Sequence, residues 1–293
     1  MLKSFVEDET KMIANENDHF EIDLSMDSLS KVSLLAYIEN TFGINMNEEQ
    51  MENLNTLAKL TDYIENNEHS FNTTTITWKD ILATKVDVKL EKPGITQWCT
   101  YTFTKILFGI CYRFRFKGSR KLPNTPCIIV ANHRCAIDGF LITYNFSRKI
   151  NKDTFFFAKE KHWRSKIAQF FARKNNVILM DINKNVRQSL QEMCAVLKKG
   201  KNIVIFPEGT RSRDNKMKKF KETFAILSKE LNVPIVPVAI AGSESACYGG
   251  SIIPKFWKKI DIEVLEPVMP SADQSVESLR DKVAALIEKH LSK

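Results

Sequence analysis

CIIVANHRCAID, Cys127 to Asp138, is an apolar run that stops at a histidine and an aspartate five residues apart. Its opening residues are apolar without a polar interruption. Such a run predicts a short strand covered on both faces, the kind that sits inside a parallel sheet. NIVIFPEGTRS, Asn202 to Ser212, has the same form: a buried strand, then a turn rich in chemistry. TFFFA, NVILM and VPIVPVAIA read as further strands. VRQSLQEMCAVLKKG, FKETFAILSKEL and SVESLRDKVAALIEKHL alternate with them at helical spacing. The alternation predicts an α/β domain with a mostly parallel, mixed sheet, whose sites gather at the carboxyl ends of strands.

The chain of 293 residues suits more than one core, and its charge is divided along its length. Residues 1–70 carry 4 Lys and Arg against 15 Asp and Glu, a net −11, which leaves 39 against 20, a net +19, for residues 71–293. The acidic part shows helical periodicity in SLSKVSLLAYIENTFGI, where Gly43 is a stop signal, and in TLAKLTDYIENN. It shows no strand pattern, so a small all-α bundle is expected. The polar NNEHSFNTTT, Asn66 to Thr75, marks the boundary. The domains are expected at 1–68, with a linker over 69–92 and the α/β domain over 93–293. A basic half of this size suits an anionic surface such as a membrane or a phosphorylated substrate. Nucleic acid is not expected, because charge alone supports it and no recognition motif accompanies the charge.

Six cysteines without a CxxC pair argue against a zinc site and for reduced thiols in a cytoplasmic setting. The acidic MLKSFVEDETKM does not read as a signal peptide. ITQWCTYTFTKILFGICY, Ile95 to Tyr112, holds one lysine in 18 residues and runs into Arg113, Arg115 and Lys117. It is near the lower length limit for a span and fits better as an interfacial helix, with Trp98 and Tyr101 at headgroup level. KHWRSKIAQFFARK, Lys161 to Lys174, places Trp163, Ile167, Phe170 and Phe171 on one face among basic residues. The expected location is the cytoplasmic face of a membrane, peripheral or monotopic.

At the strand ends, a neutral imidazole on His133 can take a proton from an alcohol, and a carboxylate such as Asp138 can fix its tautomer. Asp138 has a purely structural alternative as a helix cap. In FPEGTRS, Gly209 and Thr210 offer backbone N–H groups to an anion, Arg211 offers a planar fork, and Glu208 can hold a hydroxyl or orient that arginine.

NHRCAID has the form NHxxxxD, and FPEGTRS matches the second hallmark of the glycerolipid acyltransferases, the family that includes 1-acylglycerol-3-phosphate acyltransferases. KKFKETFAILSKELNVPIVPVAIAGS is similar to the helix and proline-containing strand that follow in that family. The resemblance runs from about Trp98 to Glu266. It implies His133 as general base, Asp138 as its orienting partner, and direct attack of an acceptor hydroxyl on an acyl thioester, with no metal. It implies further that Glu208, Gly209, Thr210 and Arg211 surround the acceptor's phosphate, with Lys159 of FFFAKEKH assisting. Cys135 stands at a position the family leaves variable, so it is not expected to be a nucleophile. VILMDINKN has Asp181, Ile182 and Asn183 where an Asp-Arg pair is expected. That departure leaves the acceptor open between a lysophospholipid or glycerol phosphate and another alcohol or amine, such as an amino-lipid or a polyketide- or polyene-type product.

HFEIDLSMDSLSKVSLLAYIENTFGI resembles the second-helix region of an acyl carrier protein, with Asp27, Ser28 and Leu29 at its attachment motif. The resemblance implies 4′-phosphopantetheine on Ser28, added by a phosphopantetheinyl transferase, and an acyl donor held on a carrier or on CoA. Asp27 or Ser28 can also serve simply as a helix cap. MLKSFVEDETKMI reads as too short and acidic for the first helix of such a bundle, so the carrier-like domain is expected to lack it. A degenerate domain that only docks the chain to a biosynthetic complex is the competing reading.

Overall fold

The computed structural model describes residues 1–67, 77–84, 86–91, 94–144, 146–159, 163, 165–180, 186–211, 217–247, 253 and 255–291, with the side chain of Lys159 excluded. The chain divides into two compact units. One comprises Met1–Val86 with Asp181–Gln191, the other Asp87–Met180 with Glu192–Lys293.

The first unit is helical: α1 Leu2–Thr10, α2 Ser28–Phe42, α3 Glu48–Asn53, α4 Leu57–Asn67 and α5 Trp78–Ala83. The segment read as too short and acidic to supply a leading helix nevertheless forms α1. It does so because Leu2 and Val6, one turn apart, are buried, and Phe5 stacks on Tyr37 of α2 at 4.2 Å. Tertiary burial offsets the poor intrinsic length. The core gathers Phe20, Leu24, Leu34, Ile38, Leu60 and Ile64. Part of the span read as linker is also helical: in α5, Thr77 and Asp80 form a capping box and Ile81 and Leu82 are buried. Residues 68–76 lie outside the described residues.

The second unit begins with α6 Ile95–Cys111 and β1 Tyr112–Lys117, followed by β2 Ile128–Ala131, α7 Asp138–Tyr144, α8 Arg148–Lys152 and β3 Thr154–Lys159. Then come α9 Lys166–Lys174, β4 Val177–Met180, α10 Val186–Lys198, β5 Asn202–Ile205, α11 Thr223–Leu231, β6 Ile235–Ala241, β7 Lys258–Val264 and α12 Val276–Leu291. The start of α10 falls in the first unit. There the Glu48 carboxylate accepts the N–H groups of Val186 and Arg187, which have no partner inside the helix.

The described strands form one sheet in the order β1-β7-β6-β2-β5-β3-β4. All pairs are parallel except β6 with β7. The sheet is therefore mixed and mostly parallel. Its middle strand β2 is buried at every residue, as its unbroken apolar run requires. The strand at Tyr112–Lys117 was missed by sequence reading, where Arg113, Arg115 and Lys117 counted only as a basic cluster. YRFRFK alternates as an edge strand should, with its aromatic residues against the core.

No helix among the described residues is long and apolar enough to cross a membrane. Instead α6 buries Gln97, Phe108 and Cys111 and exposes Ile95, Trp98, Phe103, Ile106 and Ile110 along the opposite stripe. It packs against α7 and α9, and α9 exposes Ile167, Phe170 and Phe171.

Candidate active site

Register brings the two motifs together. Val130 of β2 pairs with Ile205 of β5, and both strands end within a residue, so His133 and Glu208 each lie three residues beyond that pair. The His133 N–H donates to Glu208 Oε1 at 2.8 Å, and Glu208 Oε2 accepts the Lys218 N–H at 3.1 Å. Glu208 is buried, so two backbone donors hold its carboxylate in place of water. It thereby ties the two strand-end loops to each other. Asn132 does the same toward β6: its amide donates to the Ile240 carbonyl and accepts the Ile240 N–H, both at 2.8 Å. Sequence reading gave Asn132 no role, although a buried amide directly after an apolar strand signals such a tie.

Asp138 is fully buried at the start of α7. Its Oδ2 accepts the N–H groups of Arg134 and Cys135, each at 2.7 Å, and stands 3.0 Å from His133 Nδ1. Oδ1 has no partner among the described residues. The cap and the imidazole's neighbour, set against each other as alternatives in the sequence, are one oxygen here. A carboxylate that already accepts two backbone donors acts as an acceptor toward the ring as well. The hydrogen-bond network therefore assigns the proton to Nδ1 and the lone pair to Nε2. The imidazole stacks on Phe206 with ring centroids 4.4 Å apart, a platform the sequence did not advertise as part of the site. Cys135 is buried beside them, and burial pushes its thiol up to about 12. It is protonated at neutral pH and poorly suited to attack a thioester.

The FPEGTR stretch makes a turn rather than a helix start, with the Gly209 N–H on the Phe206 carbonyl at 3.1 Å. Gly209 has φ +68°, in the left-handed region that glycine enters without strain. A Cβ there would also stand 3.4 Å from Lys221 Cε. Gly209, Thr210 and Arg211 are exposed, and Lys218 Nζ donates to Thr210 Oγ1 at 2.8 Å and to the Arg211 carbonyl at 3.3 Å. Two cations that sequence reasoning missed, Lys218 and Lys221, thus join Arg211 at this turn. The signal was present in the KMKKFK run. Lys159 ends β3, next to β5, but its side chain lies outside the described residues, as do Ser212 and the Asp181 to Asn183 departure.

In the first unit, the Asp27 carboxylate caps α2 by accepting the N–H groups of Leu29 and Ser30, both at 2.9 Å. Ser28 is exposed at the first residue of that helix, and its hydroxyl makes no hydrogen bond among the described residues. The aspartate does the capping and the serine is left for other chemistry. An exposed, uncommitted hydroxyl at this position fits attachment of a phosphopantetheine.

Residues 113–241 match the family model described as Acyltransferase, and residues 2–64 match that described as Phosphopantetheine attachment site. The chain carries an acyltransferase domain of the PlsC type preceded by a phosphopantetheine-attachment domain. Among individual proteins, it is 29% identical over 184 residues to a chloroplastic 1-acyl-sn-glycerol-3-phosphate acyltransferase of Brassica napus, covering 59% of this chain and 50% of that one. It is 32% identical over 126 residues to a 1-acyl-sn-glycerol-3-phosphate acyltransferase of Cocos nucifera, covering 42% and 40%. The chain thus spans half or less of the length of these curated relatives. The crystal structure of the 1-acyl-sn-glycerophosphate acyltransferase PlsC from Thermotoga maritima superposes with a TM-score of 0.57 at 27% identity, over 67% of this chain and 78% of that one.

Proposed function

We propose that the chain transfers a fatty acyl group from a thioester to the hydroxyl of a lysophospholipid or glycerol-phosphate-type acceptor, working from a membrane surface. The observation that carries this reading is the His133 and Asp138 pair, 3.0 Å apart on a buried strand end that is braced to a cationic turn. His133 Nε2 takes the acceptor's hydroxyl proton as the oxygen attacks the thioester carbonyl, and the proton then passes to the departing thiolate. Asp138 holds the tautomer and stabilises the imidazolium. Arg211, with Lys218 and Lys221 beside it, receives the acceptor's phosphate over Gly209 and Thr210. Glu208 positions both loops rather than touching substrate. When bound at Ser28, phosphopantetheine supplies a thiol that carries an acyl thioester, and an attached domain raises the local concentration of such a donor. The apolar stripes of α6 and α9 support a peripheral seat on the bilayer.

The test is transfer of a labelled acyl group to 1-acylglycerol-3-phosphate in mixed micelles, from acyl-CoA or from the acyl-loaded chain, comparing wild type with His133→Ala. Loss of about 10²–10⁴-fold in a folded variant is expected. Undiminished turnover would remove His133 from the reaction. Intact-protein mass after coexpression with a phosphopantetheinyl transferase, for wild type and Ser28→Ala, tests the attachment site. A mass gain that survives Ser28→Ala would place the group elsewhere.

A further inference from the structure

We propose that the cleft between α6 and α8 binds the phosphate of an anionic bilayer phospholipid, at a site apart from His133 that rests on the membrane reading above. The cleft is shallow and open to solvent, and is lined by Gln97, Trp98, Tyr101, Arg148, Asn151 and Lys152. None of these belongs to the strand-end loops.

Four observations converge on a phosphate. Gln97 is 8% exposed, yet its amide has no hydrogen-bond partner among the described residues. Its amide N–H groups are therefore free to donate to a ligand in the cleft, where solvent reaches them. Arg148 and Lys152 line the same cleft and form no ion pair among the described residues, so no carboxylate there neutralises their charge. Arg148 also lies over the Trp98 ring at 6.0 Å, which holds the guanidinium at the mouth. Finally, the cleft sits at the N-terminus of the 17-residue helix α6, where Gly94 has no side chain to act as a cap and the first turn holds no acidic residue. The free N–H groups and the positive end of the helix favour an anion at that point.

The helix itself identifies the source of the phosphate. The same α6 that opens the cleft exposes Ile95, Phe103, Ile106 and Ile110 at helical spacing, and Trp98 bridges the polar and apolar parts. A cationic site for phosphate continuous with an apolar stripe matches a phospholipid, whose charged head and acyl chains are joined. A soluble anion has no use for the stripe.

Sedimentation of the full chain with vesicles of phosphatidylcholine alone, and of an equal mixture with phosphatidylglycerol, tests the site. Wild type is expected to prefer the mixed vesicles. Arg148→Gln with Lys152→Gln should cut affinity for them about tenfold or more. Gln97→Leu, which changes no charge, should cut it about threefold. Both changes should weaken binding to the mixed vesicles more than to phosphatidylcholine, whose phosphate is neutralised by its own choline, whereas Phe103→Ser with Ile106→Ser should weaken binding to both alike. A charge-matched control, Lys282→Gln with Lys289→Gln on α12, should keep most of the preference. An equal loss in that control, or a preference that survives the cleft variants, overturns the site while leaving membrane association standing. Wild type that binds neither vesicle overturns both. Saturable calorimetric binding of inorganic phosphate, abolished by the cleft variants and unaccompanied by any vesicle preference, would replace the lipid with a soluble anion.

Discussion

At the scale of single residues, one oxygen decides how the site works. Asp138 Oδ2 holds the loop through the Arg134 and Cys135 N–H groups and holds the imidazole through Nδ1. Asp138→Asn should keep most of the loop's bonds, since an amide oxygen still accepts, while losing the tautomer control. The expected result is a fall in kcat of about 10²–10⁴-fold with little change in acceptor KM. Steady-state kinetics decide it, and a change confined to KM would make Asp138 structural only. Cys135 invites suspicion by its place between His133 and Asp138. Burial holds its thiol at about 12, so Cys135→Ala should keep turnover within about threefold while costing about 1 kcal/mol of stability. Abolished turnover in a folded Cys135→Ala variant would contradict that account.

Among elements, β2 and β5 set the geometry, because their paired ends deliver His133 and the FPEGTR turn side by side. Glu208 and Arg211 sit in the same turn but should fail differently. Glu208→Ala leaves the His133 and Lys218 N–H groups without their acceptor, costing about 1–3 kcal/mol of stability and lowering kcat as the loops drift apart. Arg211→Ala should leave stability alone and raise the acceptor KM about tenfold or more, because a charged hydrogen bond to phosphate is lost. Melting curves paired with acceptor titrations separate the two. Identical kinetic profiles would deny Glu208 its bracing role.

For the whole molecule, the helical unit carries a half-buried carboxyl, Glu9, whose titration couples to folding. Burial raises Glu9 above its ordinary 4.5, with hydrogen bonds from Ser30 and Ser33 opposing the rise and Asp27 adding to it. Below pH 4.5 Glu9 is protonated folded or unfolded, and its contribution is fully present. As pH rises through the raised value the folded state must hold a half-buried carboxylate, and that stability is lost. Glu9→Gln should therefore melt with wild type at low pH and above it at neutral pH, as calorimetry of the full chain would show. Equal midpoints at neutral pH would mean that the carboxylate is relieved by solvent. Glu48, also raised by burial, works in the same direction.

The amino-acid sequence by itself determined the alternation of buried strands and amphipathic helices, the mostly parallel sheet, and the two strand-end motifs. Those features depend on local periodicity and on residue types that chemistry requires in a short stretch. The same holds for Ser28 at the start of α2. Other features were decided only by tertiary structure. Burial against α2 makes α1 a helix despite its acidity, and pairing with β7 turns a basic run into β1. The register of β2 on β5 places Glu208 under His133, and the fold of the FPEGTR turn brings in Lys218. The cleft beneath Gln97 exists because α8 closes over the start of α6. Each depends on partners distant in the chain, and no local pattern of hydrophobicity or charge encodes which surfaces will meet.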